Sequence, residues 1–382
     1  MRLRWKFFLV LLAFSLVPLV ALTGFTRGNV IRLGRAIADE GRGILTGIIK
    51  NELRQTAEDY ALVLRRSKSA MDFSVTVLAS EAERAVAGAG ARAAEPTPVY
   101  RAPDVAAARN APPDMADDAA YAKRLADGGS ERLPISRDAP VIYRPPGARG
   151  KNGEDARLAS LGPTFSLLRA ELGDLLLFAS VTLEDGSHVS FPGHAGYPAD
   201  YDPRERPWYT AAKTAFAPFA PAGGPVIWNA PAVDAATGQV TLTLSKALAG
   251  PGGRFLGVAS LDVPLARVLQ EQEIASQWSE AMRTFLVAPA LDPVTGRDSL
   301  YVWAQRSYEN HVPDWKSAIN FERLSSPDTT RFGALLAAMK RGGAGAAELP
   351  YHGEDAFWAY SRFMDDAYFL IIVPKSMLAP LA

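Results

Sequence analysis

The sequence predicts an α+β fold in which one transmembrane helix leads into a long stalk helix and then into two modules with antiparallel sheets. Three observations predict it. A charge-free apolar run of 19 residues begins at Phe7, and apolar residues then recur at helical spacing as far as about Val86. Two groups of alternating segments follow, separated by turn residues and accompanied by helices, which indicates antiparallel sheets with helices to one side.

The composition excludes several classes of protein. The chain has 382 residues, of which 48% are hydrophobic, so it is long enough to bury a sizeable core. Basic and acidic residues number 41 each, and this balance does not suggest nucleic acid as a partner. Because the chain contains no cysteine, disulfides, thiol nucleophiles and cysteine-ligated metals are excluded.

Residues 1–27 are predicted to be a cytoplasmic N-terminus and a transmembrane anchor. Arg2, Arg4 and Lys6 precede the apolar run Phe7 to Phe25, so the positive-inside tendency places the N-terminus in the cytoplasm and the bulk of the chain outside. The alternative is a cleaved signal peptide, which has a shorter apolar stretch ending in a small-x-small site. The residues at the end of the run, 20–24, offer no convincing site of that kind, which favours an uncleaved anchor.

Residues 28–87 are predicted to form the stalk helix. Its apolar positions recur at steps of three, four and seven residues or close to them: Ile37, Ile44, Ile48, Leu53, Ala57, Tyr60, Leu64, Met71, Val75 and Leu78. A helix of about 50 residues is about 75 Å long, which is too long for one small domain to surround. We therefore expect the stalk to pair with a second copy of itself, giving a homodimer.

Residues 88–153 differ in composition from the rest of the chain, because Ala, Pro, Gly, Asp and Arg dominate them. We interpret this range as a low-complexity insertion that is loosely ordered at the surface. A short strand at 140–144 is expected within it. A proline-rich site for a protein partner is the alternative interpretation.

Residues 154–268 are predicted to form the first module. A helix over 155–176 is expected to break at Gly162-Pro163, and Asp185-Gly186 lies between two alternating segments, which predicts a hairpin. A short helix at 208–217 and strands at 226–229, 239–248 and 254–263 complete this module.

Residues 269–382 are predicted to form the second, smaller module. A helix over 264–279 leads into it. Strands are expected at 284–288, 300–305, 347–350, 356–361 and 368–373, around a helix at 330–341.

The stretch from Tyr197 to Tyr209, YPADYDPRERPWY, is the candidate functional segment. Three prolines disfavour helix at the residues that precede them, so the segment is predicted to be a loop that feeds a helix. A stiff loop rich in aromatic and guanidinium groups is typical of a wall for a small polar ligand. The alternative is purely structural: Asp202 pairs with Arg204, and the aromatic side chains belong to the core.

The motifs of this region resemble those of a known family. The pattern D-P-R-x-R-P-W-Y at 202–209, the D-A-x-T-G turn at 234–238 and G-V-x-x-x-D at 257–262 are similar to those of bacterial double Cache (dCache) extracytoplasmic sensor domains. Such domains occur in chemoreceptors, sensor kinases, nucleotide cyclases and sporulation-type serine phosphatases. The resemblance implies two PAS-like modules, of which the first, membrane-distal one binds the ligand. It also implies signal sensing rather than catalysis, with any second membrane helix and output domain beyond residue 382.

The resemblance also implies a set of ligand-binding residues: Tyr201, Arg206, Trp208, Tyr209, Asp234 and Asp262. In the amino-acid-binding members, the positions of Arg206 and Trp208 take the ligand carboxylate, and those of Tyr201 and the two aspartates take the ammonium group. A guanidinium fork suits a carboxylate, which agrees with this assignment. A second tyrosine of the family pattern is replaced here by Ala232, which is expected to enlarge the pocket on one side. No cofactor is implied.

Other functions are less well supported by the sequence. His188 and His194 are candidate metal ligands with Asp185 or Asp200, but Pro192-Gly193 interrupts the segment between them and no third histidine is near. A G-x-S-x-G nucleophile elbow is absent, and the glycine-rich stretch at 250–257 lacks the Lys-Ser/Thr ending of a phosphate loop. The remaining alternative to a sensor is a non-catalytic protein-interaction ectodomain without a small-molecule ligand.

Overall fold

The computed structural model of the chain describes most of the sequence. The described residues are 3–88, 97–125, 129–148, 150–151, 153–218, 224–270, 282–292, 295–305, 315–316, 319 and 322–377, with the backbone alone at 3–31, 124, 269–270 and 305. The chain divides into two compact units, Met1–Thr56 and Ala57–Ala382. The combination of a long N-terminal helix with antiparallel sheets confirms the predicted α+β class.

A single helix, α1 (Leu3–Val86), contains both the expected anchor and the expected stalk. Within the described residues, no helix meets the length and hydropathy of a membrane span. The anchor at 7–25 therefore stays a prediction. In the first unit, the large apolar side chains of Leu33, Ile37, Ile44 and Ile48 are exposed at steps of four, seven and four residues.

In the second unit, α1 packs its apolar stripe into the protein. Ala57, Leu64, Met71, Val75 and Leu78 are buried at steps of seven, seven, four and three residues, as the periodicity predicts. Tyr60 is also occupied within the chain, because its ring stacks on that of Phe369 with centroids 5.3 Å apart. Tyr60 is one of the apolar positions at which the stalk was expected to pair with a second copy of itself. This expectation is corrected for Tyr60, because its ring packs within the chain.

The stalk is also tied to the first module by a polar contact. The indole Nε1 of Trp228 donates to Asp72 Oδ1 at 2.7 Å, and Lys68 lies 5.4 Å from the centre of the Trp228 ring. Lys68 pairs with Asp72 one turn along the helix at 2.6 Å. The helix and the strand that carries Trp228 are thus joined by a three-residue cluster.

Much of the segment at 88–153 is packed, which differs from the expected loose surface insertion. It contains helix α2 (Ala102–Ala106) and short strands β1 (Ala116–Asp117), β2 (Lys123–Arg124), β3 (Ser130–Glu131), β4 (Pro134–Ser136) and β5 (Val141–Tyr143). Its few apolar and aromatic side chains, among them Val105, Tyr121, Leu133 and Ile135, are buried against the first module. Composition misled here because a small number of well-placed apolar groups suffices to hold a covering segment.

The first module is built on one antiparallel sheet. After helices α3 (Glu154–Ala159) and α4 (Gly162–Leu172), which confirm the predicted break, come β6 (Phe178–Leu183), β7 (His188–Phe191) and β8 (Gly193–His194). Helix α5 (Pro207–Thr214), β9 (Ile227–Trp228), β10 (Ala232–Val233), β11 (Val240–Ala249), β12 (Phe255–Pro264) and helix α6 (Leu265–Gln270) follow. The strand order is β10-β11-β12-β6-β7-β5, with β9 beside β11, while β1, β4 and β8 pair separately.

Two local features explain this sheet. The hairpin predicted at Asp185-Gly186 joins β6 to β7, where Gly186 has a φ of +95° and Asp185 accepts from the Ser187 amide at 2.9 Å. The glycine of the G-V-x-x-x-D motif, Gly257, lies where β12 approaches β6 closely. A Cβ at Gly257 would lie 2.2 Å from the Thr182 carbonyl oxygen, so a side chain there would separate the strands.

The second module is a separate antiparallel sheet. Its strands are β13 (Arg283–Leu291), β14 (Asp298–Gln305), β15 (Arg323–Leu324), β16 (Ala344–Tyr351), β17 (Glu354–Met364) and β18 (Ala367–Pro374), in the order β15-β14-β13-β18-β17-β16. Helix α7 (Thr329–Arg341) buries Phe332, Leu335 and Met339 against the sheet. The predicted strands and helix of this module are all found. The predicted helix at 264–279 is found only as α6, because residues 271–281 lie outside the described part.

Candidate functional site

A small cavity lies between the first sheet and the loop at 197–206. Its lining comes from strands β6, β7, β11 and β12, from that loop and the start of α5, and from β10 with the turn after it: Ser180, His188, Tyr197, Tyr201, Arg206, Trp208, Ala232, Val233, Asp234, Ala235, Thr241, Thr243 and Asp262. The cavity volume is about 20 Å³, close to that of one water molecule. Five of the six predicted site residues therefore meet in one place.

The loop that forms one wall is held rigid from within. Asp202 caps a short 3₁₀ turn over Pro203–Glu205 by accepting from the Arg204 amide at 2.9 Å. The same carboxylate accepts from the Arg204 guanidinium, with Nη2 to Oδ2 at 2.6 Å. The structural interpretation of this pair is therefore correct, and it coexists with a cavity because Arg206 stays outside the pair.

Arg206 points its guanidinium to the cavity wall. Its Nη1 donates to the Trp315 carbonyl and its Nη2 to the Val233 carbonyl, each at 2.8 Å. In the described part of the chain, neither cavity aspartate forms an ion pair with it. Two neutral carbonyls hold the fork in place and leave its positive charge without a bonded anion.

Asp234 and Asp262 line the same cavity as Arg206. Asp234 Oδ2 accepts from the Thr237 amide at 2.7 Å and from the Thr237 hydroxyl at 2.6 Å, within the turn that Gly238 closes with a φ of +67°. Asp262 accepts from the Thr243 hydroxyl at 2.6 Å.

Both carboxyl groups have a raised pKa. Burial raises the pKa of Asp234. Burial, together with the negative charge of Asp234, raises the pKa of Asp262 to about 7. A cation placed between these groups would relieve both effects, because it would favour the charged form of each.

Aromatic rings enclose the cavity. Tyr197 and Tyr201 stack with centroids 4.6 Å apart and planes 5° apart, and the hydroxyl of Tyr143 donates to the Tyr201 carbonyl at 2.6 Å. Trp208 lines the cavity from the first turn of α5. The rings therefore offer faces for a cation or for an apolar side chain.

Tyr209 differs from the prediction, since it does not line the cavity. Its ring belongs to a cluster with Trp208, Ala212 and Val258 and meets the edge of Phe255, with centroids 6.0 Å apart. Consecutive residues at the start of a helix point about 100° apart, so Trp208 reaches the cavity while Tyr209 points away from it. The resemblance to the family motif does not reveal this difference in direction.

Several lining residues were not predicted, and His188 is the most informative of them. Its Nδ1 lies 2.7 Å from the Thr182 hydroxyl and its Nε2 lies 2.9 Å from the Tyr197 hydroxyl. Burial lowers the pKa of His188 to about 3, so the ring is neutral. Strand alternation was the available signal, because residues two apart on β6, β7 and β11 share a face.

The metal alternative finds no support in the geometry. His194 Nδ1 accepts from the Gly196 amide at 3.2 Å, while Asp185 caps the hairpin and Asp200 pairs with Lys316. Over the described ranges of the chain, no group of three or more histidine and carboxylate side chains is arranged to hold a metal ion.

The expectation that Ala232 enlarges the pocket on one side stays a prediction. Ala232 lines the cavity at the position of the missing tyrosine. The whole cavity has the volume of about one water.

Comparisons with known proteins agree with the resemblance seen in the motifs. A stretch of 99 residues is 34% identical to the methyl-accepting chemotaxis protein PctB of Pseudomonas aeruginosa. This stretch is 26% of the chain and 14% of PctB. No family model matches the chain. Over this stretch, the chain is thus similar to a small part of a chemotaxis protein.

Solved structures similar to this chain are also ligand-binding domains of chemoreceptors. The domain of P. aeruginosa PctB with L-Arg is 23% identical, covers 56% of this chain and 80% of its own, and has a TM-score of 0.38. That of Pseudomonas fluorescens CtaA with L-isoleucine is 18% identical, covers 60% and 80%, and has a TM-score of 0.39. That of Campylobacter jejuni Tlp3 with isoleucine is 16% identical, covers 59% and 76%, and has a TM-score of 0.37.

Proposed function

We propose that this chain is the extracytoplasmic sensor part of a membrane receptor and that it binds a small organic ligand, an α-amino acid or a related amine or carboxylate. The observation that carries the proposal is the meeting of opposite charges in one cavity. The guanidinium of Arg206 and the carboxyl groups of Asp234 and Asp262 all line it. An α-amino acid carries the complementary pair of charges on adjacent atoms.

The hydrogen bonds of the site support this ligand class. A carboxylate that approaches Arg206 finds a fork already fixed by two carbonyl acceptors, with N–H groups still to donate. An ammonium group that approaches Asp262 restores the ionised form of a carboxyl that burial and Asp234 push toward neutrality. Both ends of the ligand would therefore gain charge-assisted hydrogen bonds in a site shielded from water.

Binding requires the cavity to open. An amino acid occupies more space than the roughly one water molecule that this cavity admits. The wall most able to move is the two-residue edge strand β10, since the loop at 197–206 is held rigid from within and the other lining strands belong to the interior of the sheet. The proposed sensor thus changes conformation on binding, which a receptor needs in order to pass on a signal.

The membrane arrangement is part of the proposal. The apolar run at 7–25 anchors the chain in the bacterial inner membrane, and the modules lie in the periplasm or outside the cell. The exposed stripe of Leu33, Ile37, Ile44 and Ile48 pairs two stalks in a parallel homodimer. The chain itself is not an enzyme under this proposal, and any catalytic output belongs to another part of the receptor.

A thermal-shift screen of the purified chain against L-amino acids, amines and organic acids tests the function, with calorimetry on each compound that stabilises it. We expect at least one compound with an amino or carboxylate group to bind. For a compound with a carboxylate, Arg206→Ala should then weaken binding at least ~30-fold, whereas Arg254→Ala, which removes an exposed arginine from the same module, should not. Absence of binding across the panel would favour the alternative of a protein-interaction ectodomain.

A further inference from the structure

One residue of the second module lies against the candidate site of the first. Trp315 belongs to the connection between β14 and β15 of the second sheet, yet its ring meets that of Tyr201 edge-on with centroids 5.6 Å apart. The guanidinium carbon of Arg206 lies 5.5 Å from the centre of the same ring. The Trp315 carbonyl accepts from Arg206 Nη1 at 2.8 Å.

The neighbouring residue reinforces this contact. Lys316 forms an ion pair with Asp200 of the site loop, and its ammonium lies 5.2 Å from the centre of the Trp315 ring. Both partners of the ion pair are more than half exposed, so the pair itself contributes little. The half-buried indole packs with Tyr143 and Tyr201, which makes it the main part of the contact.

We propose that Trp315 is a positioning residue for Arg206 of the ligand site, so that both modules contribute to the site. This inference rests on the proposed function. The ring of Trp315 lies beside the guanidinium of Arg206, and its carbonyl fixes one of the two terminal nitrogens, so Trp315 positions the guanidinium for a ligand carboxylate. A carboxylate bound there shares Arg206 with the Trp315 carbonyl, so that ligand occupancy and the position of Trp315 depend on each other.

The expected effect follows from the contacts. Loss of the indole removes a half-buried cation–π contact with Arg206 and exposes the guanidinium to water. Binding of a carboxylate should therefore weaken by about 5- to 20-fold. The backbone hydrogen bond survives replacement of the side chain, so binding is weakened rather than abolished. The loss concerns the end of the ligand that binds Arg206, because the hydrogen bonds of the two aspartates go to Thr237 and Thr243.

The test compares ligands with and without a carboxylate. Affinities of the proteinogenic L-amino acids and of the corresponding decarboxylated amines, such as L-arginine and agmatine, are measured by calorimetry on the full chain and its variants. Trp315→Ala should weaken the amino acids and leave the amines within about twofold. Trp315→Phe, which keeps an aromatic face, should restore most of the affinity, and Trp303→Ala in β14 is the matched control.

A second measurement needs no ligand. The chain has no cysteine, so the paired variant Asp200→Cys with Lys316→Cys carries its only two thiols at the contact. A short bifunctional thiol reagent should crosslink this pair rapidly, and the pair Asp138→Cys with Lys316→Cys slowly. Equal, slow rates for both pairs would show that Trp315 does not reach the site and would overturn the inference.

The two failures are distinguishable. If the parent chain binds none of the probes, the proposed function fails, and the crosslinking still decides whether the two modules meet at the site. If the parent binds and Trp315→Ala binds amino acids and amines as the parent does, the function stands and the inference is wrong.

Discussion

Replacement of Asp262 by asparagine gives the sharpest test of the site's electrostatics, because it removes one charge and keeps the shape. The pKa of Asp262 is raised from an ordinary value of 3.8 to about 7 by burial and by Asp234. Its proton is thus held more tightly in the folded chain than in the unfolded one. This carboxyl therefore favours the folded state at acidic pH, and that contribution is lost as pH rises from about 4 through about 7.

The size of the loss follows from the two pKa values. The shift of the Asp262 pKa from 3.8 to about 7 lowers the free energy of unfolding by at most about 4 kcal/mol above pH 7. Water in the cavity reduces this figure, so we expect a net effect of about 1–3 kcal/mol. Asp262→Asn should unfold at the same denaturant concentration as the parent near pH 4 and be more stable by that amount at pH 8.

Urea unfolding followed by tryptophan fluorescence at several pH values measures the difference between variant and parent. The difference cancels other titrating groups, and Asp138→Asn, which changes an exposed carboxylate of the segment at 88–153, is the control. A difference that stays constant from pH 5 to pH 8 would refute the argument, since it would mean that Asp262 titrates alike in both states.

The same variant has a consequence for binding. In the parent, affinity for a ligand with an ammonium group should rise with pH up to about 7, by as much as tenfold per pH unit, because Asp262 must be ionised to receive the cation. Asp262→Asn should remove this dependence and weaken such ligands, while simple carboxylates keep their affinity.

Three further predictions concern other parts of the molecule. Arg206→Ala should cost about 2–5 kcal/mol in binding of a carboxylate ligand, at least ~30-fold in affinity by calorimetry, with an unchanged melting temperature; equal affinity would remove this loop from the site. Burial lowers the pKa of His194 to about 3, so its stabilising contribution is present above about pH 6.5 and is lost as pH falls. His194→Phe should therefore reduce the slope of the free energy of unfolding against pH below pH 6.5 by up to about 1.4 kcal/mol per pH unit. An unchanged slope would contradict this. Single cysteines at Ile44 and Ile48 should crosslink two chains in membranes, whereas one at Tyr60, whose ring stacks on the second module, should not; a flat profile would argue for a monomer.

The sequence predicts the parts of this fold whose information is local. Alternation and turn residues place the strands of both sheets, and the Asp185-Gly186 hairpin follows directly from its residue types. The cavity aspartates were predicted because a motif with a fixed order carries them. The direction of Tyr209 was not predicted, since a motif gives residue types but no rotation about the helix axis.

Long-range contacts account for most of what the sequence did not predict. Arg206 and Trp315 are separated by 109 residues, and no periodicity links a loop of one module to a strand connection of another. The packed segment at 97–148 was missed for a related reason. Its buried groups, such as Tyr121 and Leu133, are held by partners elsewhere in the chain, while its average composition resembles that of a surface linker.

The hydrogen bond between Trp228 and Asp72 gives the proposed receptor a place where its response can be adjusted without a change in what it binds. Strand β9 lies a few residues before β10, which forms part of the cavity wall, and its indole is fastened to the stalk. A substitution such as Asp72→Asn touches no lining residue, yet it loosens the attachment of that wall to the helix. Variation at this one helix position would therefore let related receptors keep a common ligand and differ in the ligand concentration at which they respond.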